Sequence, residues 1–372
     1  MDPIERKITA LAAMVHLGPK RQKLLRRLLP LAADKDHLID TAIREGLGGL
    51  FYKNFLNAGL LETLARRQRE KLYFYYYSAV RCNLKLIRAF AEILERLDQR
   101  RIEVVLLQGM ELLQRLYDDV GLRPLTDIDL WVRESDRPRL TTVLCGLGYR
   151  QDPLYPLTFK KGATVLDLHT HILWADRIKA RALLLDQDQE LVLARCEPIA
   201  FEMLQTRCLD PYDRLIYLSL HLLKHGANRL IWLADIQNLV ADWKEADWDA
   251  LVDRARLLGQ QKCIAQTFFL IESLLGCQTP EEIRAKMVPL HPMEKKVLRL
   301  RRNKESLPEW STLILFCSGK GFRKGMIFFL ETMFPRPHIL RQVFAAEPGS
   351  SVIRLYTRRL LQLMGMVKSS LR

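Results

Sequence analysis

Residues 104–132 read VVLLQGMELLQRLYDDVGLRPLTDIDLWV and contain the pattern that decides the fold. An apolar run ends at Gly109, a helical stretch follows, and a second apolar segment contains Asp127 and Asp129 on either side of Ile128. Alternate residues of a β-strand point to the same side, so the two aspartates share one face and the apolar residues share the other. This pattern predicts a sheet with a pair of carboxylates on one surface.

A pair of carboxylates on one strand face has a chemical consequence. The two negative charges repel each other, so both groups are costly to keep ionised unless a cation lies between them. A hard cation that prefers oxygen ligands, such as Mg²⁺, is the natural occupant. We therefore expect phosphoryl or nucleotidyl transfer chemistry.

The residues before the two aspartates are suited to phosphate. Gly109 lies where a buried strand ends and a helix begins, so backbone N–H groups and the helix dipole can hold a phosphate there, and a side chain would block its approach. Gln108 precedes this glycine and is assigned to the same nucleotide site. Arg123 lies just before the aspartate strand and is expected to offer its guanidinium fork to phosphate oxygens.

A third acidic residue lies in VLDLHTHI, residues 165–172. Strand alternation places Asp167, His169 and His171 on one face, and residues 160–162 link this strand to the preceding run as a hairpin. His169 is interpreted as a hydrogen-bonded orienting residue within the nucleotide site. A separate zinc site built from the two histidines is the alternative.

The three acids together suggest a two-metal site. Two cations about 3.5–4 Å apart can hold the attacking and leaving oxygens of a phosphoryl transfer in line. Asp127 and Asp129 are expected to share the ion that carries the triphosphate. Asp167 is expected to bind the second ion, which lowers the pKa of an acceptor hydroxyl, and to take the proton of that hydroxyl.

Helical periodicity dominates both ends of the chain, and strand-like runs lie between them. Residues 1–100 repeat apolar positions at three- and four-residue spacing, and the same pattern returns from Glu197. Residues 102–172 contain short apolar runs typical of strands. The expected fold class is α+β, with a mixed sheet and its helices between helical regions. The expected divisions are a helical region 1–100, a core 101–195 and a helical C-terminal domain 196–372.

The composition is that of a folded protein, with 49% hydrophobic and 27% charged residues among 372. The first seven residues carry both signs of charge and no run of 18 apolar residues occurs, so we expect no secretory signal, no membrane span and a cytoplasmic location. The seven cysteines form no close pairs, which indicates reduced thiols and argues against a disulfide framework.

The net charge of +15 is concentrated near the C-terminus, where residues 283–372 contain 18 Lys or Arg and 5 Asp or Glu. These basic clusters are suited to an anionic partner, which would be nucleic acid, an anionic leaflet or a polyanionic saccharide. A solvated helix face explains the same charges. The clusters comprise Lys295, Lys296, Arg299, Arg301, Arg302, Lys304, Arg354, Arg358 and Arg359.

Several other polar and aromatic side chains are interpreted as structural. His221 and His225 share a helix face, but no glutamate follows His221 and no third metal ligand is evident. Lys224 and Asp235 lie in a segment that could cover a nucleotide cleft, and a salt bridge between helices is the favoured interpretation. The tryptophans expected to pack in the core are Trp174, Trp232, Trp243 and Trp248.

These motifs, taken in order, resemble the DNA polymerase β-like nucleotidyltransferase superfamily. The chain looks most like its branch of uncharacterised nucleotidyltransferase family proteins, whose pattern runs from lysine-glycine to arginine-proline, a DxD strand and an aspartate-x-histidine strand. The segment HLLKHGANRLIWLADI at 221–236 is also similar to that branch, so the resemblance covers most of the chain. The matching residues are Gly109, 122–124, 127–130 and 167–169.

The resemblance implies Mg²⁺-dependent transfer of a nucleoside monophosphate from a nucleoside triphosphate, with ATP the expected donor, to a hydroxyl of an unidentified saccharide, protein or RNA. It implies that Asp127 and Asp129 are the metal-binding pair and Asp167 the third carboxylate. Members of the branch also resemble proteins encoded near exopolysaccharide machinery. Two positions depart from the family pattern: Gln108 replaces a lysine, and Met110 replaces a glycine or serine.

Two other functions stay open from the sequence. A catalytically degenerate protein would bind nucleotide or a partner as a scaffold, which the departures at Gln108 and Met110 favour and the three intact carboxylates disfavour. A toxin-like enzyme that modifies transfer RNA or protein would use the C-terminal basic clusters to hold a polyanion. Its RNA binding would weaken strongly as salt is added.

Overall fold

The computed structural model describes residues 2–347 and 349–370. The chain begins with helices, the first of which is capped by the Asp2 carboxylate, which accepts from the backbone N–H groups of Ile4 and Glu5. The fifth helix is 34 residues long and packs against the sheet that follows. These helices are α1 (Pro3–Ala12), α2 (Pro19–Leu28), α3 (Lys35–Arg44), α4 (Gly48–Asn57) and α5 (Arg66–Gln99).

A mixed sheet of seven strands follows within the described residues. Its elements in chain order are β1 (Val105–Leu107), α6 (Gln108–Arg115), β2 (Ile128–Trp131), α7 (Arg137–Gly146), β3 (Arg150–Gln151), β4 (Thr158–Lys161), β5 (Thr164–His169), α8 (Gln189–Ala194), β6 (Glu197–Phe201) and β7 (Leu204–Cys208). The strands lie in the order β3-β4-β5-β2-β1-β7-β6, so β2 is central. It runs parallel to β5 and antiparallel to β1.

Helices complete the chain after the sheet. They are α9 (Pro211–Lys224), α10 (Leu230–Leu239), α11 (Glu245–Leu257), α12 (Gln261–Leu275), α13 (Glu281–Lys286), α14 (Pro292–Arg299), α15 (Ser311–Cys317), α16 (Phe322–Met333), α17 (Pro337–Val343) and α18 (Val352–Ser370). Short 3₁₀ helices occur at Leu29–Leu31, Leu61–Thr63, Lys179–Leu184 and Leu300–Arg302. The predicted α+β class, with a mixed sheet and flanking helices, is confirmed.

Two strands lie where the sequence pattern predicts a return to helix. The prediction that helix resumes at Glu197 is wrong for residues 197–208, because β6 and β7 form a hairpin and β7 pairs with β1. In β6 the side chains of Ile199 and Phe201 are buried while Ala200 between them is exposed, a period of two typical of a half-buried strand. The sheet therefore extends past 195, and the division of the chain into three regions stays a prediction.

The helices and the sheet share one core. A single cluster of buried apolar side chains extends from Ile8 in α1 to Phe328 in α16. Phe90 of α5 meets Phe201 of β6 edge to face, with ring centroids 4.7 Å apart. Within the described ranges, no helix has the length and apolar character needed to cross a membrane.

Candidate active site

The central strand brings the three predicted acidic residues together. Asp129 lies within β2 and is the register partner of Asp167 on the adjacent parallel strand β5. Neighbouring strands are about 4.8 Å apart, and partners in parallel register point to the same side. Asp127 lies immediately before β2, two residues from Asp129 and thus on the same face. The alternation of the DxD strand therefore predicts the observed geometry.

Burial and mutual repulsion disfavour the charged forms of Asp127 and Asp129. Burial, followed by repulsion from Asp129, raises the pKa of Asp127 to about 7. Burial, followed by repulsion from Asp167, raises the pKa of Asp129 to about 7 as well. Shifts in this direction mean that the folded protein resists placing several negative charges at one point. A bound cation would relieve that resistance.

Each carboxylate accepts one hydrogen bond at Oδ1: Asp127 from Thr126 (3.0 Å), Asp129 from His169 Nε2 (2.9 Å) and Asp167 from Thr158 (2.6 Å). The Oδ2 atoms of all three accept none from the described residues, so they are free to bind a ligand. Burial lowers the pKa of His169 to about 4, so its ring is neutral at pH 7 and donates from Nε2 to the Asp129 carboxylate. This contact fits the predicted orienting role of His169.

The carboxylate ligands suit a magnesium ion that binds together with a substrate phosphate. Carboxylate oxygens are the ligands that Mg²⁺ prefers. Among the described residues, however, no group of three or more His, Cys, Asp or Glu side chains is arranged to hold a metal by itself. Mg²⁺ is usually bound by one or two carboxylates together with substrate phosphates and water, so a complete protein cage is not required.

His171 does not join this group. The predicted strand alternation over 165–172 is wrong at its end, because β5 ends at His169. The His171 Nδ1 atom accepts a hydrogen bond from the backbone N–H of Leu173 at 3.0 Å. The hairpin predicted at 160–162 is present, since β4 pairs antiparallel with β5 and Lys161 is the partner of Thr164.

Arg123 has a different partner from the predicted phosphate. Its Nε and Nη2 atoms donate to the Asp235 carboxylate of α10 at 2.9–3.2 Å, and both side chains are buried. The predicted fork toward phosphate oxygens is therefore occupied inside the protein. The expected salt bridge between Lys224 and Asp235 is also wrong, because Asp235 pairs with Arg123. The Nη1 atom of Arg123 does not take part in these hydrogen bonds to Asp235 and lies against Gly109.

Gly109 is required by this packing. A Cβ atom at position 109 would lie 2.2 Å from Arg123 Nη1 and 2.7 Å from a methyl group of Leu125, closer than atoms approach in folded proteins. Gln108 before it has a φ of 54°, in the left-handed region, and its Nε2 donates to the Tyr217 hydroxyl at 3.0 Å. Met110 is buried in the core, so its departure from the family pattern serves packing.

The sequence pattern does not assign two nearby cations to this site, since it favours a salt bridge for Lys224 and does not single out Arg181. Lys224, the last residue of α9, is electrostatically coupled to Asp129, and its Nζ atom lies 3.9 Å from the centroid of the Trp174 ring. Arg181 is coupled to Lys224. A lysine at the end of an α-helix and an arginine in a short 3₁₀ helix have no signal in sequence that separates them from solvated charges.

The two helix histidines pack with aromatic rings. The ring centroids of His221 and His225 are 4.6 Å apart, and those of His221 and Trp232 are 4.9 Å apart. Burial holds the pKa of His221 well below its usual value, so this ring is neutral. The described residues supply no third metal ligand near this pair.

Two of the C-terminal cations are used inside the protein. Arg301 forms a buried ion pair at 2.8 Å with Glu45, the residue that follows α3. Arg359 donates to the backbone carbonyls of Thr332 and Met333 at the end of α16. These two side chains are therefore not available for the predicted anionic partner, while Arg354 and Arg358 are exposed.

Comparison with known proteins gives one match. A family model described as "Uncharacterised nucleotidyltransferase" matches residues 32–276, which is more than half of the chain and includes every strand of the sheet. No curated protein and no solved structure matches the chain significantly.

Proposed function

Because the chain belongs to the uncharacterised nucleotidyltransferase family, we propose that it is an enzyme that moves a nucleoside monophosphate from a nucleoside triphosphate to a hydroxyl group. The observation that supports this most strongly is the convergence of Asp127, Asp129 and Asp167 on one face of the sheet, each with a free Oδ2 atom. Among the described residues, no Lys or Arg forms an ion pair with any of these three acids, and their mutual repulsion opposes folding.

The three carboxylates would hold Mg²⁺ and have distinct proposed roles. When bound, the ions would neutralise the triphosphate and lower the pKa of the acceptor hydroxyl. Asp127 and Asp129 hold the donor side of the site. Asp167 accepts the proton of the acceptor hydroxyl, whose oxygen forms a bond to the α-phosphorus while the bond to pyrophosphate breaks. His169 keeps the Asp129 carboxylate in one orientation through its 2.9 Å hydrogen bond.

The expected donor is ATP and the acceptor is a hydroxyl of a saccharide, protein or RNA. The resemblance to proteins encoded near exopolysaccharide machinery makes a saccharide the first acceptor to test. The exposed C-terminal cations are proposed to hold an anionic partner, and Arg354 and Arg358 are the residues in α18 that such a partner would reach.

The proposed activity is tested by incubating the protein with α-³²P-labelled nucleoside triphosphates, Mg²⁺ and cell extract. We expect label to pass from ATP to an acceptor with the intact protein and not with Asp127→Ala plus Asp129→Ala. The matched control is Asp152→Ala, whose carboxylate pairs with Lys160 on the surface and should leave transfer unchanged. Equal label transfer by the intact protein and the double variant would contradict the proposal.

A degenerate nucleotide-binding protein is the second candidate, and the glutamine at position 108 favours it. Gln108 donates to Tyr217 and supplies no cation to a triphosphate. This candidate predicts that ATP binds, that the binding needs Asp127 and Asp129, and that no label is transferred to any fraction of the extract.

A further inference from the structure

Two partly buried cations near the carboxylates have no acidic side chain of the described residues within ion-pair distance. Lys224 forms no ion pair with any acidic side chain of the described residues, and its Nζ atom rests on the face of Trp174. The Arg181 guanidinium donates no hydrogen bond to the described residues, and its Nε atom is shielded from solvent without a partner. Buried charges are normally paired because removing an ion from water is costly.

Nearby acidic residues offset the two positive charges only in part. Burial, followed by repulsion from Arg181, lowers the pKa of Lys224 to about 7. Burial also lowers the pKa of Arg181 to about 10, although Asp176 opposes this shift. Asp176 lies beyond ion-pair distance of both cations, and its Oδ1 atom is itself buried without a partner. Two neighbouring positive charges that are partly shielded from solvent indicate a binding site for an anion.

The position of the cations relative to the carboxylates indicates which class of anion they would bind. Lys224 is electrostatically coupled to Asp129, and Arg181 is coupled to Lys224, so Lys224 lies near the carboxylates and Arg181 lies near Lys224. Trp174, under the Lys224 ammonium, also packs against Tyr217, the partner of Gln108, with ring centroids 5.5 Å apart. Gln108, where the family pattern has lysine, is therefore connected to Lys224 through contacts with Tyr217 and Trp174.

We infer that Lys224 and Arg181 form a binding site for a phosphoryl group, built by the end of α9 and the 3₁₀ helix Lys179–Leu184. The ammonium supplies a point charge and the guanidinium a fork, the two ways in which proteins hold phosphate oxygens. The phosphoryl group comes from the terminal phosphates of the donor or from a phosphate on the acceptor; this identification of its source rests on the proposed function.

The test uses inorganic tripolyphosphate as the probe, without divalent cations and at fixed salt, by isothermal titration of the full-length chain. We expect Lys224→Met and Arg181→Met each to weaken binding about tenfold to a hundredfold, as expected for loss of a hydrogen bond to a charged group. The control is Lys324→Met, which removes a half-exposed lysine paired with Asp186 and should bind like the wild type.

Thermal melting separates this role from a structural one. Because each substitution removes a partly buried charge that no acidic side chain of the described residues contacts, the variants should melt at or above the wild-type temperature without ligand, and tripolyphosphate should stabilise them less than the wild type. Displacement of the probe by ATP but not by AMP assigns the site to the donor phosphates. Failure of ATP to displace it assigns the site to a phosphate on the acceptor.

Absence of tripolyphosphate binding to the wild type, or equal affinity in the wild type and both variants, would overturn the inference. The readout needs neither metal nor turnover. If label transfer fails while the variants lose tripolyphosphate binding, the proposed function falls and the phosphoryl site stands.

Discussion

Asp127 and Asp129 hold protons more tightly in the folded protein than in the unfolded chain, because burial and mutual repulsion raise both pKa values from 3.8 to about 7. A raised folded-state pKa contributes stability that is fully present below the unfolded pKa and is lost as the pH rises through the folded pKa. Without a bound cation, these two groups therefore destabilise the fold progressively between about pH 4 and pH 7.

Replacing both acids with asparagine should remove this loss. We expect Asp127→Asn plus Asp129→Asn to raise the free energy of unfolding of the metal-free protein more at pH 8 than at pH 5. The difference should exceed about 1 kcal/mol, since one pKa unit corresponds to about 1.4 kcal/mol. Urea unfolding of the wild type and the variant at both pH values measures these free energies of unfolding. The comparison between the two proteins cancels the opposite contribution of His169, whose pKa is lowered. A gain that is the same at pH 5 and pH 8 would contradict this prediction.

Gly109 provides a second test at the scale of one residue. We expect Gly109→Ala to destabilise the protein by about 1–3 kcal/mol, the usual cost of overpacking, because the new Cβ atom would meet Arg123. The control is Gly146→Ala at the end of α7, where no atom lies within 4 Å of the new Cβ. Denaturant unfolding should show a loss for the first variant and little change for the second; equal changes would be inconsistent with the packing described.

The sequence predicts some of these residues and not others for physical reasons. Strand alternation is local, so the shared face of Asp127 and Asp129 follows from their spacing. The partner of Arg123 is 112 residues away, and nothing in the local pattern shows that its fork is already engaged. Lys224 gives no local signal either, because its importance depends on a strand that precedes it by nearly a hundred residues.

At the scale of elements, a helix and a loop fix the approach to the central strand. Asn83 of α5 donates from Nδ2 to the carbonyls of Val120 and Arg123 and accepts at Oδ1 from the N–H of Leu125. The Arg123–Asp235 ion pair then ties this loop to α10. The loop before β2 is therefore held from both sides, which positions the aspartates that follow it.

The ion pair between this loop and α10 should carry a large free energy. We expect Asp235→Asn to destabilise the protein by about 3–5 kcal/mol, because it leaves the Arg123 charge buried and unpaired. The control is Glu70→Gln, which breaks an exposed pair with Arg66 in α5 and should change the free energy of unfolding little. Chemical denaturation of both variants makes the comparison. A loss below 1 kcal/mol for Asp235→Asn would mean that this loop is not held as described.

The sequence pattern predicts some strands of the sheet and not others. The strands β2 and β5 have strong apolar runs and appear where the pattern places them. The hairpin β6–β7 was missed because its strands contain Pro198, Arg207 and Gln205, which weaken the apolar signal, and because long helical patterns follow it. Its pairing with β1 depends on contacts across about 100 residues, which periodicity does not encode.

At the scale of the whole molecule, the C-terminal helices are joined to the N-terminal ones. Arg301 pairs with Glu45 at the C-terminal end of α3 and donates to the carbonyl of Ala227, at the turn between α9 and α10. The same Glu45 accepts from the backbone N–H of Leu230. Residues beyond the family match at 276 therefore help to hold the elements that surround the candidate site.

A single cooperative unfolding transition is expected from this arrangement. Arg301→Met should lower the free energy of unfolding by about 3–5 kcal/mol and shift the whole transition, since it leaves Glu45 buried without its partner. The control is Glu305→Gln, which breaks the exposed pair with Arg44 in the same two segments. Circular dichroism and tryptophan fluorescence should give coincident curves; two separated transitions would instead support the independent regions predicted from sequence.

Binding of Mn²⁺, which replaces Mg²⁺ and is detected by electron paramagnetic resonance, tests the role of the three acids most directly. In the presence of a non-hydrolysable ATP analogue, the wild type should bind Mn²⁺ with the nucleotide, while Asp127→Asn, Asp129→Asn and Asp167→Asn should each weaken that binding at least about tenfold. The control Asp152→Asn, at a carboxylate that pairs with the exposed Lys160, should bind as the wild type does. Wild-type affinity in all three site variants would contradict the metal–nucleotide site on this face of the sheet.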